Sequence, residues 1–275
     1  MTMIRAELHS HSTFSDGAFS PTILAQRCAE VRVEVWSLTD HDTCQGCEEA
    51  AAAAARFGIK FIPGIEVSAF ADRSIHILGY GVDPNAKVLT DYSTRRLQAR
   101  RDRMHLMIEK LAELGVPVDY ELVAAIAGEG AIARPHLAEA LVEAGHVETM
   151  QEAFDNWLSN DGAAYVETPW PKVPDAIALI REAGGIAVLA HPAIYDRDAL
   201  IPSWVEAGLA GIEVRHPKHT AADEARYQAI ADEHGLLATA SSDFHGPHHL
   251  SARFFGSTRL KRERFEQLEA LLAGE

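Results

Sequence analysis

The chain has 275 residues, 47% of them hydrophobic and 24% charged, and its 25 Lys+Arg stand against 40 Asp+Glu for a formal net charge of −15 at pH 7. That is the composition of a soluble globular protein, long enough for one large α/β domain or two smaller ones. Such a charge excludes sequence-independent binding of long nucleic acid, which depends on many Lys/Arg–phosphate contacts. It leaves phosphorylated small molecules open, because bound cations reverse a local field. No apolar run could span a bilayer and no basic-then-apolar leader opens the chain, so a cytoplasmic protein with no membrane contact is expected.

The first strand candidate, IRAEL, runs directly into HSHSTFSDG. Residues two apart on a strand share a face, so His9 and His11 project into one space. Ser20-Pro21 then reads as an N-cap followed by proline at the first helical position. VEVWSL is the second strand. TCQGC follows, with Cys44 and Cys47; lacking a second cysteine pair, it reads as two helix-start thiols rather than a structural zinc site. The alanine run of EEAAAAAARFG predicts a helix that stops at Gly58. KFIPGIEV and SIHILGY are the next two strands.

From Asp83 to Asp161 the pattern is helical, with no convincing strand. RRLQARRDRMHLMIEKLAELG and RPHLAEALVEAG are both amphipathic, and the arginine run of the first reads as a solvated helix face. Strand–helix alternation then resumes through PDAIALIREAGG, GIAVLA, GIEV, AADEARYQAIADEHG and LLATAS. We therefore expect a largely parallel α/β frame formed by residues 1–82 and 162–275, with residues 83–161 inserted as a helical, substrate-selecting subdomain.

Residues able to hold a metal fall where strands end. AEL leads to His9 and His11, with Asp16 just beyond; WSLT to His41; PGI to Glu66; VLA to His191; and ATASS to Asp243 and His245. His76 sits inside SIHIL. In a parallel β/α barrel that end of the strands is where active sites are built. Six of the 14 histidines with three carboxylates at equivalent positions predict a multinuclear metal site.

HSHSTFSDG, LTDHDT, PGIEVSA, AHP and SSDFH, in this order, resemble the ordered motifs of the polymerase and histidinol phosphatase (PHP) family. The resemblance implies a distorted, TIM-like (β/α)7 barrel, in line with seven strand candidates, and two or three divalent metals that hydrolyse phosphate esters. Carried over position by position, His9, His11, Glu66 and Asp243 would hold one metal. Asp16, His41 and His245 would hold a second; His76 and His191, with Glu66 bridging, would hold a third. The RPH of the helical insertion resembles the branch of nucleoside 3′,5′-bisphosphate phosphatases, whose relatives also trim short RNA from its 5′ end.

The implied reaction is in-line attack by a metal-bridging hydroxide on the 3′-phosphate of a nucleoside 3′,5′-bisphosphate. A mixed His/carboxylate set suits Mn2+, with Zn2+ or Fe2+ as alternatives, better than Mg2+. The catalytic set would be His191, a ligand at the reacting centre, with His216 and His219 as candidates to protonate the leaving alkoxide. Arg134, His136, Arg215 and Lys218 are the candidates for binding substrate phosphates. Asp40 and Asp42 flank His41 and could orient ligands. His248 and His249 are expected at the surface. The competing readings are histidinol-phosphate phosphatase and a non-catalytic, metal-stabilised module.

Overall fold

The computed structural model describes residues 3–128, 132–167 and 170–274. Its strands are β1 (Met3–Glu7), β2 (Val35–Leu38), β3 (Lys60–Phe70), β4 (Ser74–Tyr80), β5 (Ile186–Leu189), β6 (Leu209–Arg215), β7 (Leu237–Ala240) and β8 (Arg259–Lys261). Its helices are α1 (Pro21–Glu30), α2 (Cys47–Arg56), α3 (Lys87–Glu113), α4 (Tyr120–Ala127), α5 (Arg134–Glu143), α6 (Met150–Ala153), α7 (Val173–Glu182), α8 (Ile201–Glu206), α9 (Ala221–His234) and α10 (Arg262–Ala273). The chain divides into two compact units, Met1–Tyr92 with Trp170–Glu275, and Ser93–Pro169. No described helix is long and apolar enough to cross a membrane.

The first unit is an α/β barrel whose eight strands run in the order β7-β6-β5-β4-β3-β2-β1-β8. Each of the seven expected segments holds a strand. The eighth, β8, is three residues that pair antiparallel with β1, too short for alternation to show in sequence. The expectation of a largely parallel sheet also needs correcting at β4, which is antiparallel to both β3 and β5. That reversal has a consequence: His76 lies near the start of β4, paired with Ser68, and so still arrives at the same end of the sheet as the other ligands.

The barrel interior is filled by alternate residues such as Ile4, Ala6 and Leu8, with Val35, Ile62, Leu78, Tyr80, Val188 and Leu237, and is plugged by Phe265 and Leu268 of α10. Outside it, α1 and α2 pack on Trp36 and Leu38, while α7, α8 and α9 cover β3 to β7. Caps follow the sequence: Ser20 accepts from Ile23 N–H, Thr220 and Asp223 form a capping box, and Gly235 ends α9 in the left-handed region. Cys44 and Cys47 are buried thiols that both donate to Gly64 O, so they serve packing.

Strands β7 and β8 share no ladder, so another device closes the wall. Buried Glu7 accepts from Ser241 Oγ (2.6 Å), Ser242 N–H (3.1 Å) and Gly256 N–H (3.2 Å), tying β1 to the segments after β7. A parallel bridge between Ser10 and Phe244 completes the closure, beside His9, His11 and Asp243. An unpaired buried carboxylate is costly, so these three donors are what make Glu7 tolerable there.

The second unit has its own core, built from Met104, Met107, Leu111, Val123, Leu137, Leu141 and Leu158. Among its described residues there is no strand.

Candidate metal centre

The two leading histidines answer to one carboxylate. Glu66 Oε2 lies 3.3 Å from His9 Nε2, 3.2 Å from His11 Nε2 and 3.0 Å from His41 Nδ1. Its Oε1 lies 2.9 Å from His76 Nδ1 and 3.2 Å from His191 Nε2. Asp243 Oδ1 is 3.3 Å from both His9 Nε2 and His11 Nε2. Asp16 is 3.4 Å from His245 Nε2 and 3.7 Å from His41 Nε2. All nine residues expected as ligands therefore converge on one place.

The donor set fits metal ions. A tetrahedral ion with bonds of about 2.0–2.1 Å sets neighbouring donor atoms about 3.3–3.4 Å apart. That is close to the 3.2–3.3 Å by which His9 Nε2 and His11 Nε2 each stand from Glu66 Oε2 and Asp243 Oδ1. His9 Nε2, His11 Nε2, His41 Nδ1 and Glu66 Oε2 are buried without any hydrogen bond, although buried polar atoms almost always have one. Three groupings could each hold an ion: His11, Asp16, His41 and His245; His9, His11 and Glu66; His41, Glu66 and His76.

The local electrostatics show the same strain. Burial works to lower His11, but the Asp243 and Glu66 carboxylates outweigh it and raise it to about 10. At His41 and His191 burial wins, bringing them down to about 3 and about 4. Burial pushes Glu66 and Asp243 upwards, yet the surrounding imidazoles hold both well below the ordinary carboxylate range.

The backbone is shaped to deliver these side chains. Five described non-glycine residues have positive φ, and three of them (Asp42, His191 and Asp243) belong to the site or flank it. Such conformations cost of order 1–3 kcal/mol and persist only where the surroundings impose them. Asp40 accepts from Ser12 N–H (2.7 Å), Ser12 Oγ (2.7 Å) and Ser15 Oγ (2.6 Å), which orders the loop between His11 and Asp16. Asp42 accepts from Ser68 N–H (2.8 Å). Gly17 closes that loop against His11 O, where a Cβ would come within 2.1 Å.

Two residues of the centre were not anticipated. Glu213 sits fully buried between two ligands, Oε1 3.4 Å from His9 Nδ1 and Oε2 accepting from His191 N–H at 2.9 Å. Burial works to raise it, but His9, His216 and His191 bring it down to about 2. A carboxylate in the apolar run GIEV was the available signal. Tyr195 Oη accepts from His76 N–H (2.9 Å) and pairs with His191 Nδ1 (2.8 Å); nothing in its local sequence announces this.

For His191 Nε2 to keep its lone pair for a metal, Nδ1 must carry the proton and donate to Tyr195. Tyr195→Phe is therefore expected to weaken manganese binding at the His76–His191 position by roughly 10–100-fold. A calorimetric manganese titration checks this, and an unchanged isotherm would remove Tyr195 from the centre.

The other expected residues are placed as follows. His216 is buried, Nε2 3.3 Å from Asp243 Oδ2. His219 is half-buried, its Nδ1 donating to Val214 O at 2.8 Å. Arg215 is largely exposed and pairs with Glu224 at 3.3 Å, and Lys218 is exposed. In the second unit, His136 Nδ1 accepts from Ala133 N–H and caps α5. Arg134 Nη1 bonds to Leu158 O (3.0 Å) and Asn160 Oδ1 (2.8 Å). His248 is exposed as expected, whereas His249 is half-buried with its ring 4.8 Å from that of His245.

Known proteins resemble this chain over most of its length. The PHP domain family profile matches residues 7–168. A 3′,5′-nucleoside bisphosphate phosphatase of Chromobacterium violaceum is 37% identical over 252 residues, 89% of this chain and 88% of that protein. The 5′-3′ exoribonuclease Rnm of Salmonella typhimurium is 33% identical over 249 residues, 88% of this chain and 85% of that protein. A solved structure from Bifidobacterium adolescentis superposes with a TM-score of 0.85 at 30% identity, covering 96% of this chain and 94% of its own.

Proposed function

The chain belongs to the PHP family, and from that membership we propose that it removes the 3′-phosphate of nucleoside 3′,5′-bisphosphates, such as adenosine 3′,5′-bisphosphate, leaving AMP and phosphate. The observation that supports this most is the convergence of five imidazoles on the two oxygens of Glu66. The resemblance to the Chromobacterium phosphatase supports the choice of substrate. Trimming of short 5′-phosphorylated RNA is a second activity in the same reading, supported by the Rnm relative.

His9, His11, Glu66 and Asp243 would hold one divalent cation, Asp16, His41 and His245 a second, and His76, His191 and Glu66 a third. When bound, such ions neutralise phosphoryl oxygens and supply a water that is deprotonated near neutral pH. The mixed nitrogen and oxygen donors favour Mn2+ over Mg2+, with Zn2+ or Fe2+ able to substitute.

The chain's own groups divide the remaining work. His216 Nδ1 accepts from Lys218 N–H at 3.2 Å, so its proton sits on Nε2, towards Asp243. It acts by holding Asp243. His219 donates from Nδ1 to Val214 O, and its buried Nε2 has no hydrogen bond. His219 Nε2 is thus an uncommitted acceptor, and only after it has taken up a proton would the ring be able to pass that proton to the leaving alkoxide. His216 and His219 line one cavity of about 210 Å³ together with Arg215. Arg215 and Lys218 are the phosphate contacts proposed for this unit.

The test is a kinetic panel with the manganese-loaded protein: adenosine 3′,5′-bisphosphate, histidinol phosphate, an aryl phosphate and a 5′-phosphorylated dinucleotide. The bisphosphate is expected to give the highest kcat/KM, with AMP as product. A preference for histidinol phosphate would replace the substrate assignment. Phosphate release from none of them would leave a non-catalytic metal module.

A further inference from the structure

Strand β6 sends a carboxylate into the barrel. Ile212 and Val214 belong to the apolar cluster outside the wall, so the strand's period of two turns Glu213 inward. It is fully buried. Among the described residues no lysine or arginine pairs with it, and its ion-pair partner is His9. Burying a carboxylate is costly unless its charge is met, so this position calls for a reason.

Both of its oxygens are taken by nitrogens of expected ligand residues. Oε1 lies 3.4 Å from His9 Nδ1, and Oε2 accepts from His191 N–H at 2.9 Å. At the other end of the same two rings, His9 Nε2 faces Glu66 Oε2 at 3.3 Å and His191 Nε2 faces Glu66 Oε1 at 3.2 Å. The rings themselves stack, their centroids 5.6 Å apart and their planes 22° from parallel. Glu66 thus meets both imidazoles in front, while Glu213 holds the two residues from behind. His191 needs holding. Its φ of +29° is a conformation that a residue with a side chain keeps only where its surroundings impose it, and the bond to Glu213 anchors that backbone.

We propose that Glu213 is a positioning residue for two ion positions at once, fixing the tautomer of His9 and the backbone of His191 so that both present Nε2 to the metals. A neutral imidazole offers its Nε2 lone pair when the proton sits on Nδ1, and an acceptor behind Nδ1 selects that tautomer. The side chain that serves both residues must accept on both of its oxygens, which an ionised carboxylate does. Glutamine, of the same size, offers one acceptor and one donor. Turned either way, its NH2 would meet an N–H, of His9 or of His191. The inference rests on the metal reading of the centre and deepens it. One side chain that is itself no ligand ties the His9–His11–Glu66–Asp243 position to the His76–His191–Glu66 position.

The test is a calorimetric manganese titration of Glu213→Gln beside the wild-type protein, with elemental analysis of both after loading. The variant is expected to lose roughly 10- to 100-fold in affinity at both positions. The Asp16–His41–His245 position, which Glu213 does not touch, should keep its ion, so bound manganese falls from roughly two or three per chain to about one. A role in folding alone would lower the melting temperature of the metal-free and the loaded protein alike and leave the affinities unchanged. That result, or a loss confined to one position, would overturn the proposal.

A second measurement needs no variant. In the zinc-loaded wild-type protein, where the ion is diamagnetic, long-range proton–nitrogen NMR reads which nitrogen of each imidazole carries the proton. His9 is expected to be protonated on Nδ1 and metal-bound through Nε2. In Glu213→Gln the His9 signals should leave that pattern. His9 ligating through Nδ1 in the wild type, or ring signals unchanged in the variant, would sink the role of Glu213 and leave the metal centre standing. A wild-type protein that takes up neither manganese nor zinc would instead bring down the metal reading, and this inference with it.

Discussion

Replacing Glu66 with glutamine is expected to lower kcat/KM of the manganese-loaded protein by more than ~10³-fold, beyond the ~10²–10³ that removal of a single oxyanion donor costs. The reason is its position. One oxygen faces His9, His11 and His41, and the other faces His76 and His191, so the side chain takes part in two of the three proposed ion positions. Glutamine keeps the volume and one acceptor, but it removes the charge and turns one ligand oxygen into a donor. Bound manganese should fall from roughly two or three ions per chain to about one or fewer, since metal affinity depends on deprotonated ligands. Asp243→Ala is the graded comparison: Asp243 touches His9, His11 and His245 but not His76 or His191, so that variant should retain metal at the His76–His191 position. Elemental analysis and turnover measured on the same preparations decide the matter. A Glu66→Gln protein with undiminished metal and activity would mean that Glu66 is only a buried counter-charge.

Most of the centre was legible because its residues sit where strands end, and strand ends are visible as apolar runs meeting polar ones. His9 and His11 follow from the period of two, and His41, His191 and Asp243 from the runs that precede them. The antiparallel course of β4 was hidden for a physical reason. A short apolar strand reads alike in either direction, and only the register of Ser68 on His76 shows which way it runs. Strand β8 was hidden because three residues carry no period. Glu213 and Tyr195 act through distances to residues 204 and 119 positions away along the chain, which no local pattern encodes. The arginine run was only partly legible: Arg95 and Arg101 are exposed as a solvated face requires, whereas Arg96 is buried and Arg100 and Arg103 are half-buried, and which side of a long charged helix is covered is not written in its own sequence.

Chelating the metals is expected to lower the melting temperature by an amount that grows as the pH rises from 6.5 to 10. At neutral pH, free manganese at about 100 times its dissociation constant stabilises the fold by ~2.7 kcal/mol, or about 5–10 °C for a chain of this size. The pH trend comes from the histidines. In the metal-free protein, carboxylates raise His11 from 6.5 to about 10, and His9 is raised in the same sense. A group raised on folding contributes stability that is fully present below its unfolded value and is lost as the pH passes through the folded one. The metal-free protein should therefore weaken steadily between pH 6.5 and 10. Over that interval the loaded protein gains, because ions compete with protons for the same nitrogens. Below pH 6.5 the sign reverses for other residues. His41 and His191, held at about 3 and about 4, refuse protons that the unfolded chain accepts. The metal-free protein should thus be most stable near pH 6.5, with losses on both sides. Differential scanning calorimetry with and without chelator, from pH 5 to pH 10, measures both curves. A gap between them that stays constant or narrows above pH 6.5 would show that Glu66 and Asp243 are not holding protons on His9 and His11, and that the cluster is balanced some other way when metal is removed.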